Sequence, residues 1–174
     1  PGIQHLNAAT NFAIDANGAG RADYTLALLE PLIARVPDHA KIWQLLGLAW
    51  RDEQQMPKAT AAFDRAAALA PHEPRIMMGK AQVSFETGQP SSHIFEQVRT
   101  VAPNDGELAL STAAALVHEG WADEGERLIQ SLLNIELSWL RGLDALATMR
   151  WMAGDTSTFD RSYADSVQAR PQDL

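Results

Sequence analysis

Small and apolar residues recur along this chain at helical spacing. In the clearest stretch, Trp43, Leu46 and Trp50 fall at i, i+3 and i+7, one face of a helix. A second such face follows, carrying Ala59, Phe63 and Ala66. Gly47 and Ala59 are small, so the two helices can approach closely, with Phe63 filling the space between them. Pro71 cannot continue a helix and is expected to stop the second one. The pattern predicts a helix hairpin over residues 40–73.

Punctuation carries this hairpin along the chain. Gly20, Gly88, Gly120 and Gly154 form one set, and Pro37, Pro71, Pro103 and Pro171 another, at a period of about 34 residues. Each glycine is expected to take the left-handed conformation that ends the first helix of a pair. The frame gives five units: 6–39, 40–73, 74–105, 106–139 and 140–173. Two further columns agree with it. The small place of the first helix holds Ala13, Gly47, Ala81, Ala113 and Ala147; the bulky place of the second holds Leu29, Phe63, Phe95, Ile129 and Tyr163. Caps are expected at Asp38 and at Asn104 or Asp105.

Four departures from the frame carry expectations. The third unit is short around Pro90, Ser91 and Ser92, so its second helix should be shorter or start later. The fourth has Leu137 where the stop proline belongs. The second has Gln54 at the turn place. In the fifth, bulky Phe159 replaces a small residue, so that hairpin should splay.

The run Trp43-x2-Leu46-Gly47-x2-Trp50, then Ala59-x3-Phe63, then Pro71 resembles the tetratricopeptide repeat, with Trp50 in place of the usual Tyr. The resemblance extends over nearly the whole chain and is strongest in the second unit. It implies an all-α fold, a right-handed superhelix (an α-solenoid) of about five antiparallel helix pairs. It also implies a concave groove, lined by the first helices, that binds an extended peptide or a helix of a protein partner.

Placed by that resemblance, the groove takes Lys41, Gln44, Leu48 and Arg51 from the second unit and Arg75, Met78, Gln82 and Phe85 from the third. Val117 and His118 come from the fourth; Arg141, Trp151 and Met152 come from the fifth. The first unit adds Asn7, Thr10, Ile14 and Asn17. Helical spacing alone does not separate such residues from ones buried against neighbouring helices. Some members of the family clamp a partner's carboxylates at fixed places. Here those places hold Gln44, Met78, Leu110 and Asp144, and Leu48, Gln82, Ala114 and Thr148, so that pattern is missing. Trp43 and Trp50 sit at packing places. Trp121 and Trp139 fall near turns and are expected to wedge units together. Trp151 is the tryptophan expected to touch a ligand.

Charge narrows the partner. Asp and Glu number 22 against 14 Lys and Arg in 174 residues, a net charge of −8. Nucleic acid and anionic membrane surfaces call for clustered Lys and Arg and are disfavoured. The chain has no cysteine, which fits a reducing compartment, the cytoplasm. No His-Glu-x-x-His, Gly-x-Ser-x-Gly or phosphate-binding loop is present, so neither catalysis nor a metal or other cofactor is expected. His39 and His72, at turns between units, are expected to be solvated.

The expected function is therefore a non-catalytic scaffold. The chain opens on Pro1 and stops at Leu174, where a sixth unit would begin. Two alternatives follow from that. One is the repeat arm of a larger enzyme, of oxygenase-like or transferase-like type. The other is self-association through the ends of the array into a homo-oligomer.

Overall fold

A computed structural model describes residues 2–136 and 139–168, leaving aside the side chains of Ile3 and Ser166. The described residues form ten α-helices and no strand. The first helices of successive hairpins are α1 (Ile3–Gly18), α3 (Ala40–Asp52), α5 (Pro74–Glu86), α7 (Gly106–His118) and α9 (Leu140–Met152). Their partners are α2 (Ala22–Ile33), α4 (Met56–Leu69), α6 (Ser92–Arg99), α8 (Ala122–Leu133) and α10 (Thr156–Gln168). Four of the five first helices begin where the repeat frame puts them. The exception is α1, which starts before Leu6 because nothing after Gly2 breaks it. The short third unit appears as a second helix of only 8 residues. Leu137 and Pro171 lie outside the described residues.

Every marked glycine stands at a turn in the left-handed region, with φ of 69° at Gly20, 70° at Gly88, 87° at Gly120 and 75° at Gly154. Gln54 takes the same conformation in the second hairpin, with φ 58°. A side chain there meets the steric cost that glycine avoids.

One of the two expected helix caps differs. His39, not Asp38, caps α3: its Nδ1 accepts from the Ile42 N–H at 3.3 Å. His39 is accordingly half-buried rather than freely solvated. Asp38 instead receives the Arg65 guanidinium at 2.6 Å. Asp105 caps α7 as expected, accepting from the Leu108 N–H at 3.0 Å.

Contacts group the chain into two compact units, residues 1–94 and 95–174. In the first, α1 packs on α2 and α3, while α3 also packs on α2, α4 and α5. Its core joins Ala13, Leu29, Ile42, Leu45 and Leu46, with Trp43 and Trp50 packed against it. Both indoles are half-buried, and each N–H reaches outward, Trp43 to the Pro37 carbonyl and Trp50 to Glu30. Phe63 is fully buried between two glycines. A Cβ added at Gly47 would lie 2.9 Å from its ring, and one at Gly79 only 2.1 Å.

In the second unit, α8 packs on α7 and α9, and α9 on α10. Ala109, Ala113, Ile129, Leu132 and Leu146 are the centre of its core. Trp139 wedges between the starts of two first helices. Its indole lies where a Cβ at Gly106 or Gly142 would stand, at 2.9 and 2.1 Å. Trp121, the other expected wedge, is exposed instead.

All five residues of the small column are buried, and four of the bulky column are. Tyr163 is the correction, at 58 % exposed. Its ring lies against Phe159, with centroids 5.7 Å apart. Ser162 takes the buried place and accepts from Arg150 Nη1 at 2.5 Å. The Arg150 Nε donates to Glu126 at 2.8 Å. A polar contact thus replaces the bulky anchor in the last hairpin.

Candidate functional site

Within residues 1–94, the first helices α1, α3 and α5 line an open cavity of about 350 Å³. Lys41, Gln44, Leu48, Arg51 and Arg75 line it together with Ile14, Asn17 and Asp52. Each is delivered by helical geometry. Lys41, Gln44, Leu48 and Arg51 recur every three or four residues, so they share one face of α3.

Gln44 departs from a freely exposed groove residue. It is only 5 % exposed and forms part of the cavity wall, its Oε1 accepting from Lys41 Nζ at 3.0 Å. Thr10 is likewise buried, its hydroxyl donating to the Asn7 carbonyl. Arg51 bridges helices: it donates to Gln82 Oε1 at 2.7 Å and lies 3.5 Å from Asp52 and 4.0 Å from Glu86. Gln82, half-buried on α5, is thus tied to Arg51 on α3. Met78 and Phe85 are half-buried on the same helix.

Asn17 fixes one wall of this cavity. Its Nδ2 donates to the Leu45 carbonyl at 3.2 Å, and its Oδ1 accepts from the buried Thr25 hydroxyl at 2.7 Å. Three helices are tied by that one amide.

Lys41 stands in an unusual electrostatic setting. Burial first, and then the neighbouring Arg75 guanidinium, hold its ammonium below the usual lysine value, against the opposing pull of Glu73. Both effects disfavour the charged form.

Within residues 95–174, a larger cavity of about 480 Å³ lies between α7 and α9. Val117, His118 and Met152 line it, with Leu110, Ala114 and Thr148. Ala113, Ala145 and Met149 complete the wall, and the last two carry no groove signal in the sequence. The turn from Ala145 to Met149 puts them on one helix face, but that face also packs inward, so spacing gave no separate signal. Trp151 is 64 % exposed, next to but outside the cavity lining. Arg141 is exposed and paired with Glu107, so its charge is already met.

Among the described residues, no three His, Asp or Glu side chains converge as metal ligands. Nor is any helix there long and apolar enough to cross a membrane.

No protein-family model matches the chain, and no curated protein matches it by sequence. Solved structures do. One is the MamA protein of Desulfovibrio magneticus RS-1, residue 41 to the end, with a TM-score of 0.84, 17 % identity and 97 % of each chain covered. A double mutant of MamA from RS-1 gives 0.82 at 17 % identity over 96 % of each chain. YrrB, described as a tetratricopeptide-repeat protein with an unusual peptide-binding site, gives 0.79 at 13 % identity. The match covers 95 % of this chain and 86 % of that one. The chain therefore has an all-α fold of the tetratricopeptide-repeat type, as the repeat pattern implied.

Proposed function

We propose that the chain is a non-catalytic interaction scaffold whose first helices hold a peptide or helix of a protein partner. The cavity between α7 and α9 carries this reading. It is open, and its walls are almost wholly hydrocarbon from Leu110, Val117, Met149 and Met152. Such a surface suits partner side chains of varied shape, because Met side chains adapt at little cost. Exposed Trp151 and Met152 extend the apolar surface beyond the cavity. The cavity of the first unit adds polar and charged groups to the same kind of helix face. YrrB, similar in fold, is described as binding a peptide, which supports the same use here.

The test is selection of peptides from a random library displayed on phage, with the whole chain as bait. Selected peptides are then measured against Met152→Glu and Leu48→Glu, each placing a carboxylate in one cavity. The expected outcome is about a tenfold or greater loss of affinity with at least one variant, at unchanged helicity. Unchanged affinity for both variants, or no selected peptide, overturns the reading.

A further inference from the structure

The chain has three lysines, Lys41, Lys58 and Lys80, each in a different setting. Lys80 Nζ lies 2.8 Å from the Asp64 carboxylate, which favours its ammonium form. Lys58 is exposed on α4, its Nζ 5.9 Å from the centre of the Trp50 ring, and its charge is open to water. Lys41 has neither advantage. It is half-buried in the wall of the α1–α3–α5 cavity and forms no ion pair with a described residue. Its Nζ donates to the neutral Oε1 of Gln44 at 3.0 Å.

The charges around Lys41 do not make up for the lost hydration. From α3, Arg51 and Asp52 line the same cavity and offset each other at 3.5 Å. From α5, Arg75 repels an ammonium, while Glu73, at the start of that helix, attracts it. The α1 wall of the cavity carries no charge, only Ile14, Asn17 and Gly18. Burial first, then Arg75, thus favour the free amine. A lysine desolvated beside another cation is activated as a nucleophile, because only the unprotonated form carries the lone pair. The site leaves that amine usable. Gln44 is 5 % exposed, so its amide is a fixed acceptor for one N–H of Lys41. The open cavity gives room beside it, with hydrocarbon from Ile14, Leu45 and Leu48 in the wall.

We propose that Lys41 is a covalent modification site, at which small aldehydes with an apolar chain form an imine inside the α1–α3–α5 cavity. This goes beyond the scaffold reading and does not depend on it. The Nζ lone pair attacks the carbonyl carbon. A C–N bond forms as the C=O π bond opens, giving a carbinolamine. Both amine hydrogens then leave with the carbonyl oxygen as water, and a C=N bond remains. No oxidant or reductant is needed, and water reverses the step. An imine is less basic than an amine, so its formation removes a second positive charge from beside Arg75. The chain of the aldehyde lies on Ile14 and Leu48, out of water.

Butanal is the probe, mixed with the whole chain and with cyanoborohydride to trap the imine as a stable butylamine. Peptide mapping by mass spectrometry reads the three lysines against one another in the same molecule. At neutral pH, Lys41 should be labelled at least about threefold faster than either Lys58 or Lys80. A rate no faster than theirs overturns the proposal. Arg75→Met should slow labelling of Lys41 and move the midpoint of its pH–rate profile upward, since removing a like charge favours the ammonium. An unmoved profile would mean that Lys41 reacts through access alone, and overturns the electrostatic activation. The comparison within the unaltered chain stands even if Arg75→Met folds poorly. Acetaldehyde should prefer Lys41 less strongly than butanal does; an equal preference overturns the seating of the chain on Ile14 and Leu48.

Discussion

The Phe63 ring occupies the space that a side chain at Gly79 would need. A Cβ built at Gly79 meets ring atoms at 2.1 and 2.4 Å, and the ring, itself fully buried, has nowhere to retreat. In an exposed helix, Gly→Ala stabilises by about 1 kcal/mol. Here overpacking, at about 1–3 kcal/mol, opposes that gain. Gly79→Ala should therefore lower stability, and by more than Gly47→Ala, where the contact is 2.9 Å. Urea unfolding of the two variants checks the order. A more stable Gly79→Ala would show that the ring is free to move.

Gln54 should respond in the opposite sense. Its φ of 58° places an L side chain in the left-handed region, at a cost of roughly 1–2 kcal/mol. Its one described side-chain hydrogen bond, to the Arg51 carbonyl, is long at 3.4 Å. Gln54→Gly should raise stability by about 1 kcal/mol, or roughly 2–4 °C in Tm. Gly120→Ala should lower it by a similar amount. Thermal unfolding followed by circular dichroism decides both.

The last hairpin depends on Arg150, which ties Glu126 on α8 and Ser162 on α10 to α9. The side chains of Arg150 and Glu126 are 20 % and 35 % exposed, so solvent screens part of the interaction. Arg150→Met should cost about 1 kcal/mol and loosen α10 more than α8. Faster amide exchange along α10 than along α8 is the expected readout; equal rates would contradict it.

Acid should act on the start of α10. The Asp155 carboxylate accepts from the hydroxyl of Thr158 first, then from the Thr158 N–H at 3.1 Å and from the Ser157 hydroxyl. These bonds hold it below the usual aspartate value. A depressed native value means that the stabilisation is complete above the ordinary aspartate range, about 3.9, and is lost as pH falls through the lower native value. The Thr158 amide resonance should follow that titration. In Asp155→Asn the pH response should vanish while the helix start persists.

Helix positions, turns and packing columns were legible because each has a one-residue signature. Glycine marks a left-handed turn, proline a stop, and a small residue a close approach. Tyr163 was misread because its column was extended by spacing alone. Phe159 lies against the Tyr163 ring, and Ser162 with Arg150 takes the buried place instead. His39 escaped notice as a cap because imidazole is an uncommon acceptor there, and Asp38 beside it has the commoner chemistry. Among the residues expected to line a groove, spacing put Lys41 and Arg51 on one helix face. It did not tell that Gln82 meets Arg51 or that Glu107 meets Arg141. Those pairings depend on side chains some thirty residues apart, about one repeat.

The two aromatic wedges limit how this chain can be recombined. Phe63 needs vacancies at Gly47 and Gly79, and Trp139 needs them at Gly106 and Gly142. Each wedge therefore couples two neighbouring repeats across the line where a shuffling scheme would cut. Cassettes exchanged at residue 74 or 140 would part the large partner from one of its glycines. A graft must carry all three members of a set, or leave either a clash or a hole.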